Sequence, residues 1–563
     1  MDKKHIYIII SVGLLLFGCK SKTEEKTYFV KDWHAVCEYS FNDTSKYVVT
    51  CRVWGILKYF HPNITAGKID WDEALLNSLE SINHTQDIVS FNRELWQLIA
   101  KAGPYKTKTK TKKVDISTNI NLDMCWVNHS FLNDDIIDYL LDIVTIPVKE
   151  QPSYYLEADE RYTTLINEKN YSIQLVVSDD KYKLLSLFRY WNAVYFFFSY
   201  KYQMNTSWDN VLYEYIPKFL KIKTVNDYHR QLALLAAIQN EGHSNYSFRI
   251  WPRKQACVVF ETIDGETYIK HKENDSFLRY GDKIVEIDNM DIHTLIDSMR
   301  PYISATNELF KNYSIKNFLT YSHNDTIIFT VQRDNDLIRI KEKTFLTKRI
   351  PSFDKSEKIL PSNIGYVHLA SIPSPKAVDH IFTRFEETKA IILDLRCYPK
   401  SSIMNKIFPY INFDYENFEL FPVVKPDMSS PGRYYWEINL GVWKEKMMNE
   451  NQANKYDGKI IVLVDETTIS YAETLAMIFR EMSIPIIGRT TAAANGNVFT
   501  ITLPGNIKMY FSSVGIATKD SIIIQGVVPD VVVYPTVESV RKHEDEILQK
   551  ALSILTVTPP HFT

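Results

Sequence analysis

Three hydrophobic patterns divide the chain. Between about residues 256 and 348, apolar and polar positions alternate or run in short blocks: ACVVFETI, ETYIKHK, DKIVEIDN and DTIIFTVQR, separated by polar turns. A period of two belongs to half-buried strands, so this segment is expected to be strand-rich. From about 358 the pattern changes. GYVHLASI, AIILDL, KIIVLVD and PIIGRT read as strands, the second and third unbroken apolar runs of the kind buried on both faces of a parallel sheet. SYAETLAMIFREM and the closing HEDEILQKALSIL have helical periodicity, so residues 358–555 read as an α/β unit. VFTITLPGNIKMYFSS reads as a hairpin around Pro504-Gly505-Asn506.

Ahead of residue 256 the apolar positions are aromatic and helical in spacing. WGILKYFHP begins at Trp54 and WDEALL at Trp71; WNAVYFFFSY begins at Trp191 and WDNVLY at Trp208. Each pair of tryptophans is 17 residues apart, and Asp72 and Asp209 follow the second member of each pair. The echo points to a duplication, or to one motif used twice by chance. Only the second copy runs on into a histidine, in EGHSNY. The expected organisation is an N-terminal domain over 36–180, a helical domain carrying His243 over 181–250, a β-rich domain over 256–348 and the α/β core.

The N-terminus follows a fourth pattern. Lys3 and Lys4 precede a mostly apolar run over residues 6–17, closed by Gly18-Cys19. About 20 apolar residues are needed to span a bilayer, so the run fits the hydrophobic region of a signal peptide. Gly18-Cys19 resembles the bacterial lipobox, which implies cleavage after residue 18 and lipidation of Cys19. Residues 20–35 then form a tether. The expected location is outside the cytoplasm, membrane-anchored on the periplasmic face or at the cell surface.

Composition narrows the picture further. The chain has 563 residues, enough for several domains, with a net charge of −3, which does not point to a nucleic-acid partner. Its six cysteines form no C-x-x-C pair and no metal framework, and Cys37 with Cys51 could pair. KTKTKTKK at 106–113 reads as a solvated loop or a lysine-guarded edge strand, or as a contact for anionic headgroups.

The candidate chemistry centres on IIVLVDETTISYAETLAM. A strand ends at Val464, a polar turn follows, and a helix begins near Ser470. Amides at a helix N-terminus favour negative charge, which suits a developing alkoxide or oxyanion. The same residues also make a capping box, Ser470 with Glu473 three later, and the local pattern alone does not separate cap from nucleophile. His243 has the side chain most often used to activate a serine near neutral pH.

Six segments occur in the order of a known family. IGYVHLASI, AIILDLR, VLVDETTISYAE, IIGRTTAAANGNVFTITLPG, GVVPDVVV and DEILQKAL resemble successive segments of the C-terminal-processing (tail-specific) and tricorn-type serine peptidases. YGDKIVEIDNMDI resembles the Gly-Asp-x-Ile strand of a PDZ domain. The resemblance implies a multidomain α/β protein: a crotonase-like ββα-superhelix core with a PDZ-like β-rich domain and an N-terminal helical region. It places the nucleophile at Ser470 and the general base at His243. The lysine of the Ser-Lys branch has no counterpart in RTTAAANGN, and Arg489 does not give up its proton. Two positions depart from the family. The loop Cys397-Tyr398-Pro399-Lys400-Ser401-Ser402 contains no glycine, so the oxyanion donors would be the amides of Tyr471 and of Tyr398, Lys400 or Ser401. Ile522-Ile523-Ile524-Gln525 stands where the family's acid lies, leaving Asp520, Gln525 or Glu473 as alternative orienters of His243. The implied activity is hydrolysis of protein or peptide substrates by a serine-type endopeptidase, with neither metal nor organic cofactor. The second expectation is a catalytically impaired peptide- or lipid-binding lipoprotein on the same scaffold.

Overall fold

The computed structural model describes residues 40–105, 121–128, 130–146, 153–158, 163–246, 252–346, 357–414, 418, 421, 423–427, 430–437, 455–516 and 526–556. The leader with Cys19, the tether 20–35, the lysine-rich 106–113, and Asp520 and Gln525 lie outside them. Among the described residues no helix is long and apolar enough to cross a membrane.

The tryptophan echo marks two copies of one helical unit. Helix Asp43–Phe60 answers to Asp180–Phe197, and Ile88–Ala100 to Val225–Ala237, without insertion or deletion. In the first copy the Trp54 indole donates to the Trp71 carbonyl and the Trp71 indole to the Trp54 carbonyl, both at 3.0 Å. Trp191 and Trp208 repeat the clasp at 2.8 and 2.9 Å. The copies also exchange partners: Arg52 pairs with Asp209, and Arg189 with Asp72. That reciprocity is the mark of an approximate internal two-fold axis. Near it, Gly55 packs so closely on Asn192 that an added Cβ would lie 1.8 Å from Asn192 Oδ1.

One hydrophobic core runs through both copies. The expected domains 36–180 and 181–250 therefore share a core, because the apolar faces of the copies cover each other. The hairpin Asn497–Leu503 and Ile507–Ile516 enters the same core through Phe499 and Phe511. Its turn falls at the expected residues, with Gly505 and Asn506 both at positive φ. The hairpin lies in a sheet of seven described strands that also takes in Thr163–Leu165 and Asn245–Tyr246.

Residues 254–345 build a second, antiparallel sheet around Phe260, Ile284 and Phe329, carrying the helix Glu308–Phe318. The third sheet holds Ile364–His368, Ala390–Asp394, Lys459–Val464, Ile486–Gly488 and Val531–Val532 in parallel. Its apolar runs are two-faced. Ile391, Leu393, Val462 and Val464 join the core beneath helix Tyr471–Glu481, while Ala390, Ile392, Ile461 and Leu463 meet the closing helix Glu546–Thr556. Burial on both faces is what the uninterrupted AIILD and KIIVLV runs encode.

Candidate active site

Ser470 lies at the carboxyl end of this parallel sheet, between strand Lys459–Val464 and helix Tyr471–Glu481. The turn between them is pinned from inside. Asp465 accepts from the Thr467 amide at 2.8 Å, and the Thr468 hydroxyl donates to the Leu395 carbonyl at 3.0 Å. The second bond ties the turn to the loop that follows Ala390–Asp394. Ser470 has φ 56° and ψ −119°. For a residue with a Cβ such a conformation costs on the order of 1–3 kcal/mol and needs surrounding structure to hold it.

Glu473 supplies that hold. Its buried carboxyl accepts from the Ser470 amide at 3.2 Å, the Thr491 hydroxyl at 2.6 Å, and the amides of Ala493 and Ala494 at 2.7 and 2.8 Å. Burial pushes this carboxyl up from its ordinary value, and the donors pull against that shift. The Glu473 half of the expected capping box thus reaches beyond its own helix. It fastens the Ser470 turn to the loop 491–496.

His243 approaches that loop from the other side. A Cβ on Gly242 would stand 2.4 Å from the Ala494 Cβ, so glycine allows the contact. The ring is buried, with the residue 8% exposed. Its Nδ1 lies 2.9 Å from Ser512 Oγ and 3.2 Å from Glu241 Oε1. Glu241 is fully buried and also takes the His243 amide at 2.9 Å and the Ser512 hydroxyl at 3.1 Å. Since the Ser512 hydroxyl gives its proton to Glu241, its oxygen is free to accept from Nδ1, an arrangement that leaves Nε2 as the basic nitrogen. Burial works to lower the His243 pKa, but the charges of Glu241 and Glu473 outweigh it and hold the group above its ordinary value. Glu473 is thus close enough to act on the ring electrostatically. No hydrogen bond joins Ser470 Oγ to His243 among the described residues; the 491–496 loop lies between their segments.

The remaining expected residues are spread around this centre. As the first residue of its helix, Tyr471 has an amide without an intrahelical acceptor. Tyr398, 57% exposed, brings its ring to 6.4 Å from that of Tyr471. Lys400 stands at the N-cap position of the helix Ser401–Ile407, and Ser401 opens the helix. Arg396, in the same loop, is clamped between Asp394 and Asp545 at 2.6 and 2.7 Å. Glu473 serves the Ser470 turn and, among the described residues, makes no hydrogen bond with the His243 ring. Sequence reasoning missed Glu241 and Ser512. The signal for the first was an acid two residues before the histidine in EGHSNY; nothing in sequence marked Ser512. Among the described residues no group of His, Cys, Asp and Glu is placed to hold a metal ion.

Residues 423–533, which include Ser470, match Peptidase family S41. Among solved structures, mature CPAF complexed with lactacystin is 12% identical, with a TM-score of 0.52, over 67% of this chain and 98% of that one. Mature CPAF alone is also 12% identical, with a TM-score of 0.51, over 67% and 96%. At this identity the likeness shows a shared fold. No curated protein matches the chain. The match of residues 423–533 to Peptidase family S41 supports a serine-type peptidase.

Proposed function

We propose that the chain is an exported, lipid-anchored serine endopeptidase that cleaves protein or peptide substrates by acyl transfer. In this reading His243 Nε2 takes the proton of Ser470 Oγ as the oxygen attacks the peptide carbonyl. The resulting oxyanion is held by the Tyr471 amide and by an amide of Tyr398, Lys400 or Ser401. His243 then returns the proton to the leaving amine, and water clears the acyl-enzyme by the same route. The core is read as crotonase-like, and the 254–345 unit as a PDZ-like domain that takes an extended peptide along a strand. The anchor is Cys19.

The observation that carries the reading is the positive φ of Ser470 at a strand-to-helix junction. A helix cap alone does not require that strain, whereas a nucleophile lifted out of the turn does. The departure from the family in the 397–402 loop favours the second reading, a non-catalytic binder on the same scaffold.

A fluorophosphonate probe separates them. The chain without residues 1–19 is expected to be labelled, and both Ser470→Ala and His243→Ala to lose at least about 100-fold in labelling rate. Labelling that survives in Ser470→Ala removes the nucleophile. No labelling of the unaltered chain favours the binder. Labelling should also fall as pH drops through the His243 pKa, which the neighbouring carboxylates place above the usual imidazole value. Only the neutral ring accepts the serine proton.

A further inference from the structure

The family's place for an acid beside the base reads Ile522-Ile523-Ile524-Gln525 here, yet His243 has an acid on its ring. We propose that Glu241, with the Ser512 hydroxyl as its bridge, is the positioning residue of His243, supplied from the histidine's own loop. The inference rests on His243 being the base.

The geometry is unusually complete for a short turn. One carboxylate oxygen of Glu241 meets the His243 amide at 2.9 Å, its Nδ1 at 3.2 Å and the Ser512 hydroxyl at 3.1 Å. Ser512 in turn lies 2.9 Å from Nδ1. Ring, hydroxyl and carboxylate therefore close a three-membered circuit that fixes both tautomer and ring plane. The carboxylate is itself held. Its second oxygen accepts from the Ser244 hydroxyl at 3.1 Å, and the Glu241 amide donates to Ser304 Oγ at 3.0 Å. Ser512 comes from strand Ile507–Ile516, and Ser304 from the 254–345 unit. Three parts of the molecule thus converge on Glu241, two of them on its carboxylate. A surface ion pair has no need of that, but a group that must stabilise a transient imidazolium does. Glu473, the other carboxyl acting on the ring, is occupied by the 491–496 loop.

The role predicts a signature that a structural part would not give. Glu241→Gln retains the size and an acceptor for the His243 amide but removes the charge. Its plateau labelling rate is expected to fall about 1000-fold. The pH midpoint of the labelling that remains, and the His243 titration followed by ¹⁵N imidazole resonances, should both move to lower pH. Ser512→Ala keeps the charge, so its rate should fall about tenfold while its midpoint stays on the unaltered chain's side. Thermal denaturation run alongside confirms that both variants fold. An unaltered midpoint and His243 titration in Glu241→Gln would overturn the proposal, as would Asp520→Asn or Gln525→Ala producing the shift instead. If the unaltered chain takes no label, the peptidase reading fails, and the His243 titration still decides whether Glu241 orients the ring.

Discussion

Glu473 shows how much rests on one side chain. Four donors converge on it, three of them main-chain amides in turns that have no other use for them. Glu473→Ala would leave those donors buried and unmatched, and each such loss costs about 1–3 kcal/mol. We expect a loss of at least about 4 kcal/mol in urea denaturation, with Ser470 labelling abolished in the material that still folds. Retained labelling would mean that the Ser470 turn holds its strained φ without this brace. The residue also explains what the sequence made legible. Ser470-Tyr-Ala-Glu473 was readable as a capping box, since a box is a local pattern. The amides that Glu473 takes lie some twenty residues downstream, and no periodicity signals them. For the same reason Glu241 was missed: its partners on Ser512 and Ser304 exist only once three segments have met.

At the scale of elements, strands of the parallel sheet were the most legible, because burial on both faces writes itself as an unbroken apolar run. The tryptophan echo was legible as a repeat but not as a single core. Faces that cover one another across a pseudo-two-fold axis look, in sequence, like two separate amphipathic units. The hairpin Asn497–Leu503 and Ile507–Ile516 was placed correctly in sequence and not in space, since it packs into the helical unit. The crossing at Gly55 gives a direct test of the symmetry. Asn192 is tied down by hydrogen bonds to the Cys51 and Phe188 carbonyls at 3.1 and 2.9 Å. It cannot swing aside without leaving buried polar atoms unpaired. Gly55→Ala should therefore destabilise by about 1–3 kcal/mol, the range for overpacking, despite alanine's better helix propensity. A gain in melting temperature would show that the two helices do not bear on each other there.

At the scale of the molecule, the antiparallel unit meets the Ser470 turn through buried charge. Glu261 on strand Val258–Ile263 is paired with Lys270 at 2.6 Å and Lys316 at 3.0 Å. Arg489, just beyond strand Ile486–Gly488, reaches Glu466 at 2.7 Å and stands 3.5 Å from Glu261. Glu466 lies four residues before Ser470, so Arg489 joins the two units at the site itself. Burial would raise both carboxyls, but Lys270, Lys316 and Arg489 hold Glu261 well below its ordinary value, and Arg489 with Lys316 holds Glu466 below its own. A depressed acid stabilises the fold above its unfolded pKa and loses that contribution as pH falls through the folded value. Asp465 runs the other way, since burial and Glu466 raise it. With two carboxylates against one, contact between the units should weaken below about pH 4, where free glutamate protonates. Arg489→Met should reproduce the loss at neutral pH by leaving Glu466 charged and unpaired, at a cost of about 3–5 kcal/mol. Lys316→Met, which leaves Glu261 its other cations, should cost less. Hydrogen exchange can read both variants: faster exchange is expected at the 465–470 turn in Arg489→Met, together with slower Ser470 labelling. If Arg489→Met leaves the turn's exchange and the labelling untouched, the charge cluster only fastens one unit to the other and has no part in shaping the site.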